Sequence, residues 1–140
     1  MRGNPLQKSM SNTPTKLSRS AEDYLEAIGH LCHKNGCAQV SDIAEMLGVK
    51  KPSVTAAMRR LADLGMIEYR QYSPIQLTEK GAQHAENVIS AHRVLYRFMT
   101  EVAGLKAERA GEAACLLEHL LTKDEIDGIA AKIVSHSTKS

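Results

Sequence analysis

Val40-Ser41-Asp42-Ile43-Ala44-Glu45-Met46-Leu47-Gly48-Val49-Lys50-Lys51-Pro52-Ser53-Val54-Thr55 is the stretch on which the fold turns. Val40, Ile43, Ala44 and Leu47 recur at three and four residues, which predicts a short helix, with Ser41 as its cap and Gly48 as its stop. Pro52 then sits where a first helical turn tolerates a missing N–H. The second helix continues through Thr55, Met58, Arg59, Arg60 and Leu61, with Val54, Met58 and Leu61 turned inward. Two short helices joined by a Gly-containing turn, the second opening on Lys, Ser and Thr, make a helix-turn-helix.

Working outward, the second helix halts at Leu64-Gly65. Met66 to Arg70 then alternates as a strand, with Ile75-Gln76-Leu77 its partner across Tyr72-Ser73-Pro74, so a β-hairpin wing is expected. Upstream, Tyr24, Leu25, Ile28, Leu31 and Cys32 form the apolar stripe of a helix capped by Ser20 and ended by Asn35-Gly36. Downstream, Thr78-Glu79-Lys80-Gly81 opens the longest helix, apolar at Ala85, Val88, Ile89, Leu95, Met99 and Val102 until Gly104. Helices over Ala107–Leu121 and Lys123 to about Val134 complete a mainly α chain. The expected organisation is a disordered basic arm over 1–16, a winged helix-turn-helix over 17–80, a helical metal-binding and dimerisation domain over 81–135, and a tail over 136–140.

Composition narrows the function. No apolar run in the 140 residues is long enough to cross a bilayer, and no export signal precedes the first helix. A cytoplasmic protein without a membrane partner is expected, and its three cysteines read as reduced thiols. The net charge of +2 is too small to prove a nucleic-acid partner, but its distribution is uneven. Lys50, Lys51, Arg59, Arg60 and Arg70 outnumber the acids around the helix-turn-helix, whereas Glu101 to Asp127 is dominated by carboxylates. Lys50, Lys51, Pro52, Ser53, Thr55 and Arg59 are therefore the expected DNA-facing residues, with Ser53 and Thr55 the best candidates for base edges.

A second constellation lies near the end. In Cys115-Leu116-Leu117-Glu118-His119, residues three and four apart on one helix would bring a thiolate, a carboxylate and an imidazole together. Those are three donors suited to a transition-metal dication. Asp23 and Glu26 by themselves read as solvated acids of a first turn, and His92 as a hydrogen-bonded residue in an apolar stripe.

Taken together, Ala21-Glu22-Asp23-Tyr24-Leu25-Glu26-Ala27-Ile28, the helix-turn-helix, Leu77-Thr78-Glu79-Lys80-Gly81, Ala91-His92-Arg93 and Glu118-His119 resemble the DtxR/MntR family of metal-dependent transcriptional repressors, in a short form without an SH3-like domain. The resemblance spans roughly Ser20 to Val134. It implies metal ligands at Asp23, Cys115, Glu118 and His119, with a neighbouring site using Glu26 and His92. Asp23 looks like the manganese-responsive branch and Cys115 like the iron-responsive one, while Tyr96 stands where some relatives carry an extra carboxylate. A thiolate beside an imidazole favours Fe(II), the expected corepressor, with Mn(II) the alternative. The implied protein is a homodimeric repressor of metal uptake that binds double-stranded operator DNA, is not an enzyme and needs no organic cofactor. Two rival readings are a regulator sensing an organic ligand or thiol oxidation through Cys32, Cys37 or Cys115, and a metal-dependent hydrolase using His92, Glu118 and His119.

Overall fold

The structure is a computed structural model that describes residues 17–139. The arm expected over 1–16 lies outside the described residues, as does the last residue of the tail. In chain order the elements are α1 (Arg19–Asn35), α2 (Val40–Leu47), α3 (Lys51–Asp63), β1 (Ile67–Glu68), β2 (Gln76–Leu77), α4 (Glu79–Arg97), a π-helical turn (Phe98–Val102), α5 (Ala107–Leu117) and α6 (Lys123–Lys139).

The first half is a winged helix-turn-helix. Leu25, Ile28 and Leu31 of α1 share one core with Ile43 of α2, Val54, Met58 and Leu61 of α3, and Met66 and Ile75 of the wing. Burial of these side chains, at roughly 1.5–3 kcal/mol each, is what holds elements as short as α2 in place. The wing is an antiparallel pair with Ile67 opposite Leu77 and Glu68 opposite Gln76, shorter than the alternation predicts. It gains a third contact: Ala38 pairs with Ile75, N–H to carbonyl in both directions at 3.0 and 2.7 Å.

That bridge explains why Ser41 is not the cap of α2. Ala38 and Gln39 are held extended against the wing, so the helix begins at Val40, with Gln39 preceding it and Ser41 already inside and exposed. The cap of α1 also moves, from Ser20 to Ser18, whose side chain accepts from the Ala21 N–H at 3.1 Å while buried Leu17 anchors the entry.

Helix α4 joins the halves. Thr78 caps it, accepting from the Gly81 N–H at 3.0 Å and donating to the Gly65 carbonyl at 2.6 Å. One side of α4 packs on α1, where Gly29 lies against Ile89 and Ala85. The other end supports a second, smaller core of Ala91, Leu95, Ala114 and Ile126. The long helix predicted to Gly104 stays α-helical to Arg97 and then widens into the π turn, against which α5 and α6 pack. Helix α6 runs through the expected tail to Lys139. Helix α5 stops at Leu117, four residues before its predicted end at Leu121. Both the Leu120 and Leu121 N–H groups close back on the Leu117 carbonyl, at 3.0 and 3.1 Å.

Candidate metal centre

Three elements converge on Glu118. Helix α1 contributes Glu22, Asp23 and Glu26 from its first turns, α4 contributes His92, and the turn after α5 contributes Glu118 and His119. Within the described residues, two groups have donor atoms close enough to hold one ion each: Asp23, Glu118 and His119, and Glu26, His92 and Glu118. Five of the six ligands implied by the resemblance are thereby brought together, and Glu118 belongs to both groups.

Cys115 belongs to neither group. Glu118, as the cap of α5, keeps a helical backbone with φ −60° and its N–H on the Ala114 carbonyl, so Cys115 lies on its side of the helix but outside both sets of converging donor atoms. Its sulfur still borders the cluster. Burial first, and then the negative charge of Glu118, Asp23 and Glu26, pushes its thiol above its ordinary value, with Arg19 opposing.

Glu118 is, among the described residues, the buried polar or ionisable side chain outside the apolar core, 6% exposed. Its Oε1 lies 2.6 Å from His92 Nδ1. Burial, a hydrogen bond with Glu26, and the charges of Glu26, Asp23 and Glu22 push its carboxyl up to about 9, so near neutral pH it holds a proton. His119 Nδ1 is 2.7 Å from Glu22 Oε1, while Nε2 is 2.9 Å from Asp23 Oδ1 and 3.3 Å from Glu118 Oε2. None of those Nε2 approaches is a hydrogen bond. Among the described residues, Glu118 Oε2 and His119 Nε2 are the buried side-chain atoms with no hydrogen-bond partner, and they face each other. In the metal-free chain the proton on Glu118 lies between two acceptors 3.3 Å apart, and a cation taking its place would join both to the third, Asp23 Oδ1. The donors present, carboxylate oxygens and imidazole nitrogens, fit a first-row divalent ion.

Glu22 was not among the sequence-derived ligands. In the sequence it is one more acid in a first helical turn, and only its partner 97 residues away sets it apart.

At the opposite end, Lys50, Lys51, Pro52, Ser53 and Arg59 are exposed and Thr55 half-buried along the first turns of α3. Lys51 and Thr55 line a groove of about 440 Å3 together with Gln39, Ser41 and the wing residues Tyr69 and Tyr72. Tyr72, at the wing tip, is 95% exposed and left-handed, with φ 66°. The sequence places Tyr72 in the turn between the wing strands but gives no sign of its left-handed backbone.

Two family models match in tandem. One, described as the N-terminal DNA-binding domain of iron-dependent repressors, covers residues 16–75, and the other, their metal-binding and dimerisation domain, covers 78–138. An HTH-type transcriptional regulator of Methanocaldococcus jannaschii is 38% identical over 79% of this chain and 88% of its own length. The HTH-type transcriptional regulator MntR of Lysinibacillus sphaericus is 36% identical over 79% of each chain. Among solved structures, IdeR of T. acidophilum is 31% identical, with a TM-score of 0.69 over 79% of this chain and 52% of its own. A manganese-dependent transcriptional repressor solved with manganese is 25% identical, with a TM-score of 0.71 over 81% and 52%. The chain spans about half the length of these solved structures.

Proposed function

The chain belongs to the DtxR/MntR family of metal-dependent transcriptional repressors, and from that premise we propose that it is a cytoplasmic, homodimeric repressor whose operator affinity is switched on by a divalent metal ion held at Glu118. Family members are transcriptional repressors, so the hydrolase alternative falls. The observation that carries the proposal is the convergence of donor atoms on a buried pair without hydrogen-bond partners, Glu118 Oε2 and His119 Nε2, between Asp23 on one side and Glu26 and His92 on the other.

Asp23, Glu118 and His119 would hold one ion, and Glu26, His92 and Glu118 a second beside it. Bound there, the metal supplies the positive charge that lets these carboxylates be ionised together. The residues do the rest. Asp23 and Glu26 belong to α1, whose Leu25, Ile28 and Leu31 are fixed in the helix-turn-helix core. Drawing the start of α1 onto Glu118 and His119 therefore fixes the DNA-binding unit relative to the second half. In a dimer, that fixes the separation of the two α3 helices, which must match successive major-groove faces. Leu116, Leu120 and Val134, exposed by 52%, 75% and 63%, offer apolar surface in the half matched as a dimerisation domain. Lys50, Lys51, Pro52, Ser53, Thr55 and Arg59 would meet phosphates and base edges.

The two donor groups contain no thiol, which tilts the corepressor towards Mn(II). Fe(II) is favoured only where the neighbouring Cys115 thiolate turns in to join them. Anaerobic fluorescence anisotropy on an operator selected from a random duplex library tests the whole proposal. Mn(II) or Fe(II) is expected to raise affinity about a hundredfold, within the usual range of coupling. Equal affinity with and without either metal overturns it.

A further inference from the structure

We propose that Glu22 is the positioning residue of the metal centre: its carboxylate orients the ring of His119 so that Nε2 is the ligating nitrogen. The inference rests on the metal-binding role proposed above and assigns a residue that neither periodicity nor the family resemblance supplied.

Helix α5 ends at Leu117, so the backbone at His119 lies in a turn, outside the helical ladder that would restrict its rotamer. Something else must fix an imidazole whose side chain is only 4% exposed. The bond at 2.7 Å from His119 Nδ1 to Glu22 Oε1 does so. An ionised carboxylate has only lone pairs to offer, so Nδ1 carries the hydrogen and donates it. A neutral imidazole holds one such hydrogen, which leaves Nε2 as a bare lone pair. That lone pair is the atom that has no hydrogen-bond partner and lies 2.9 Å from Asp23 Oδ1 and 3.3 Å from Glu118 Oε2.

The consecutive residues Glu22 and Asp23 thus take the two edges of one ring, one from the outer nitrogen and one from the inner. Glu22, 25% exposed, faces a solvent-open cavity of about 160 Å3 lined also by Asn87, Lys123 and Asp127. It sits at the rim of the site. A carboxylate behind a ligating histidine fixes the tautomer and makes the ligating nitrogen more basic, and losing it typically costs 10- to 100-fold in metal affinity.

The test uses the full chain, with Mn(II) binding read from loss of the free-ion electron paramagnetic resonance signal and Co(II) binding from its visible absorption. Glu22→Ala is expected to weaken Mn(II) binding roughly 10- to 100-fold and to change the Co(II) bands, because the ring is no longer held. Glu22→Gln keeps an oxygen that accepts from Nδ1–H. It is expected to recover most of the affinity and the wild-type Co(II) bands, which a merely structural loss would not predict. Glu22→Ala with wild-type affinity and bands overturns the positioning role alone, as does Glu22→Gln that recovers nothing. Wild-type chain that binds neither ion overturns the metal-binding role and this inference with it.

Discussion

Glu118 is the residue at which stability and function pull apart. Its carboxyl, ordinarily near 4.5, is raised to about 9, chiefly by burial and then by Glu26. Between those two values the folded chain holds a proton that the unfolded chain has released, so unfolding free energy falls as pH rises through that window. The stability this group contributes is fully present below the ordinary carboxyl value and is lost as pH rises towards 9. The melting temperature of the metal-free protein should therefore fall between pH 5.5 and 8.5. Glu118→Gln should flatten that dependence and gain roughly 1–3 kcal/mol at pH 8.5, because folding then no longer requires a carboxyl to take up a proton. Wild type is expected to gain thermal stability with Mn(II), as the ion would displace the proton, and the same variant should lose that gain. Cys115→Ser asks a separate question. With the thiol outside both donor groups, Mn(II) affinity should stay within about threefold of wild type, while Fe(II) affinity should drop further if the thiolate joins that ion. Asp23, Glu26 and His92 were legible only through the motifs that surround them. Taken singly, each has an ordinary role as a first-turn acid or a stripe histidine, and it is their meeting from two helices with Glu118 and His119 on a third segment that gives them chemistry.

At the scale of elements, periodicity located every helix of the described residues but misjudged how several begin and end. The apolar and acidic content of Ala107 to Leu121 favours helix throughout, yet the chain turns after Leu117. That turn carries Glu118 and His119 towards α1 and α4, a tertiary gain that propensity cannot register. The Ala38–Ile75 bridge was likewise invisible, since one residue pairing with another 37 positions on leaves no alternation to read. Two glycines set how closely elements approach. A Cβ at Gly81 would stand 1.8 Å from the Met66 carbonyl oxygen, which is backbone and already accepts from the Thr78 N–H at 3.0 Å. Gly81→Ala should then force α4 from the wing and cost roughly 2–4 kcal/mol in urea denaturation, within the range of severe single substitutions. At Gly29 the nearest atoms are side-chain tips, Ile89 Cδ1 at 3.0 Å and Ala85 Cβ at 3.1 Å. Gly29→Ala should cost less stability, since Ile89 can give way. Because α1 carries Asp23 and Glu26, a small outward shift of that helix should still weaken Mn(II) binding, measured by the same resonance titration.

At the scale of the molecule, α1 is, among the described residues, the one helix whose apolar side is built into the helix-turn-helix core while its first turns reach both candidate donor groups. The proposed switch would need no chain of intermediates on that account, since one element belongs to both ends. Such an arrangement makes a quantitative demand. If metal raises operator affinity about a hundredfold, the coupling free energy is about 2.7 kcal/mol, and operator must raise metal affinity by the same factor. Mn(II) titrations with and without saturating operator should give dissociation constants in that ratio. Lys51→Ala separates the partners: loss of one phosphate contact should lower the steepness of salt dependence by about 0.9 and weaken DNA binding with or without metal. The ratio of the two Mn(II) constants should nevertheless be unchanged in that variant, because Lys51 lies at the groove of α3 and the wing and touches neither donor group. A Gly29→Ala chain should behave in the opposite way, keeping the salt dependence and losing the ratio, because it displaces the shared helix and leaves the groove intact. If both variants alter the ratio equally, α1 is not the element through which the sites are joined.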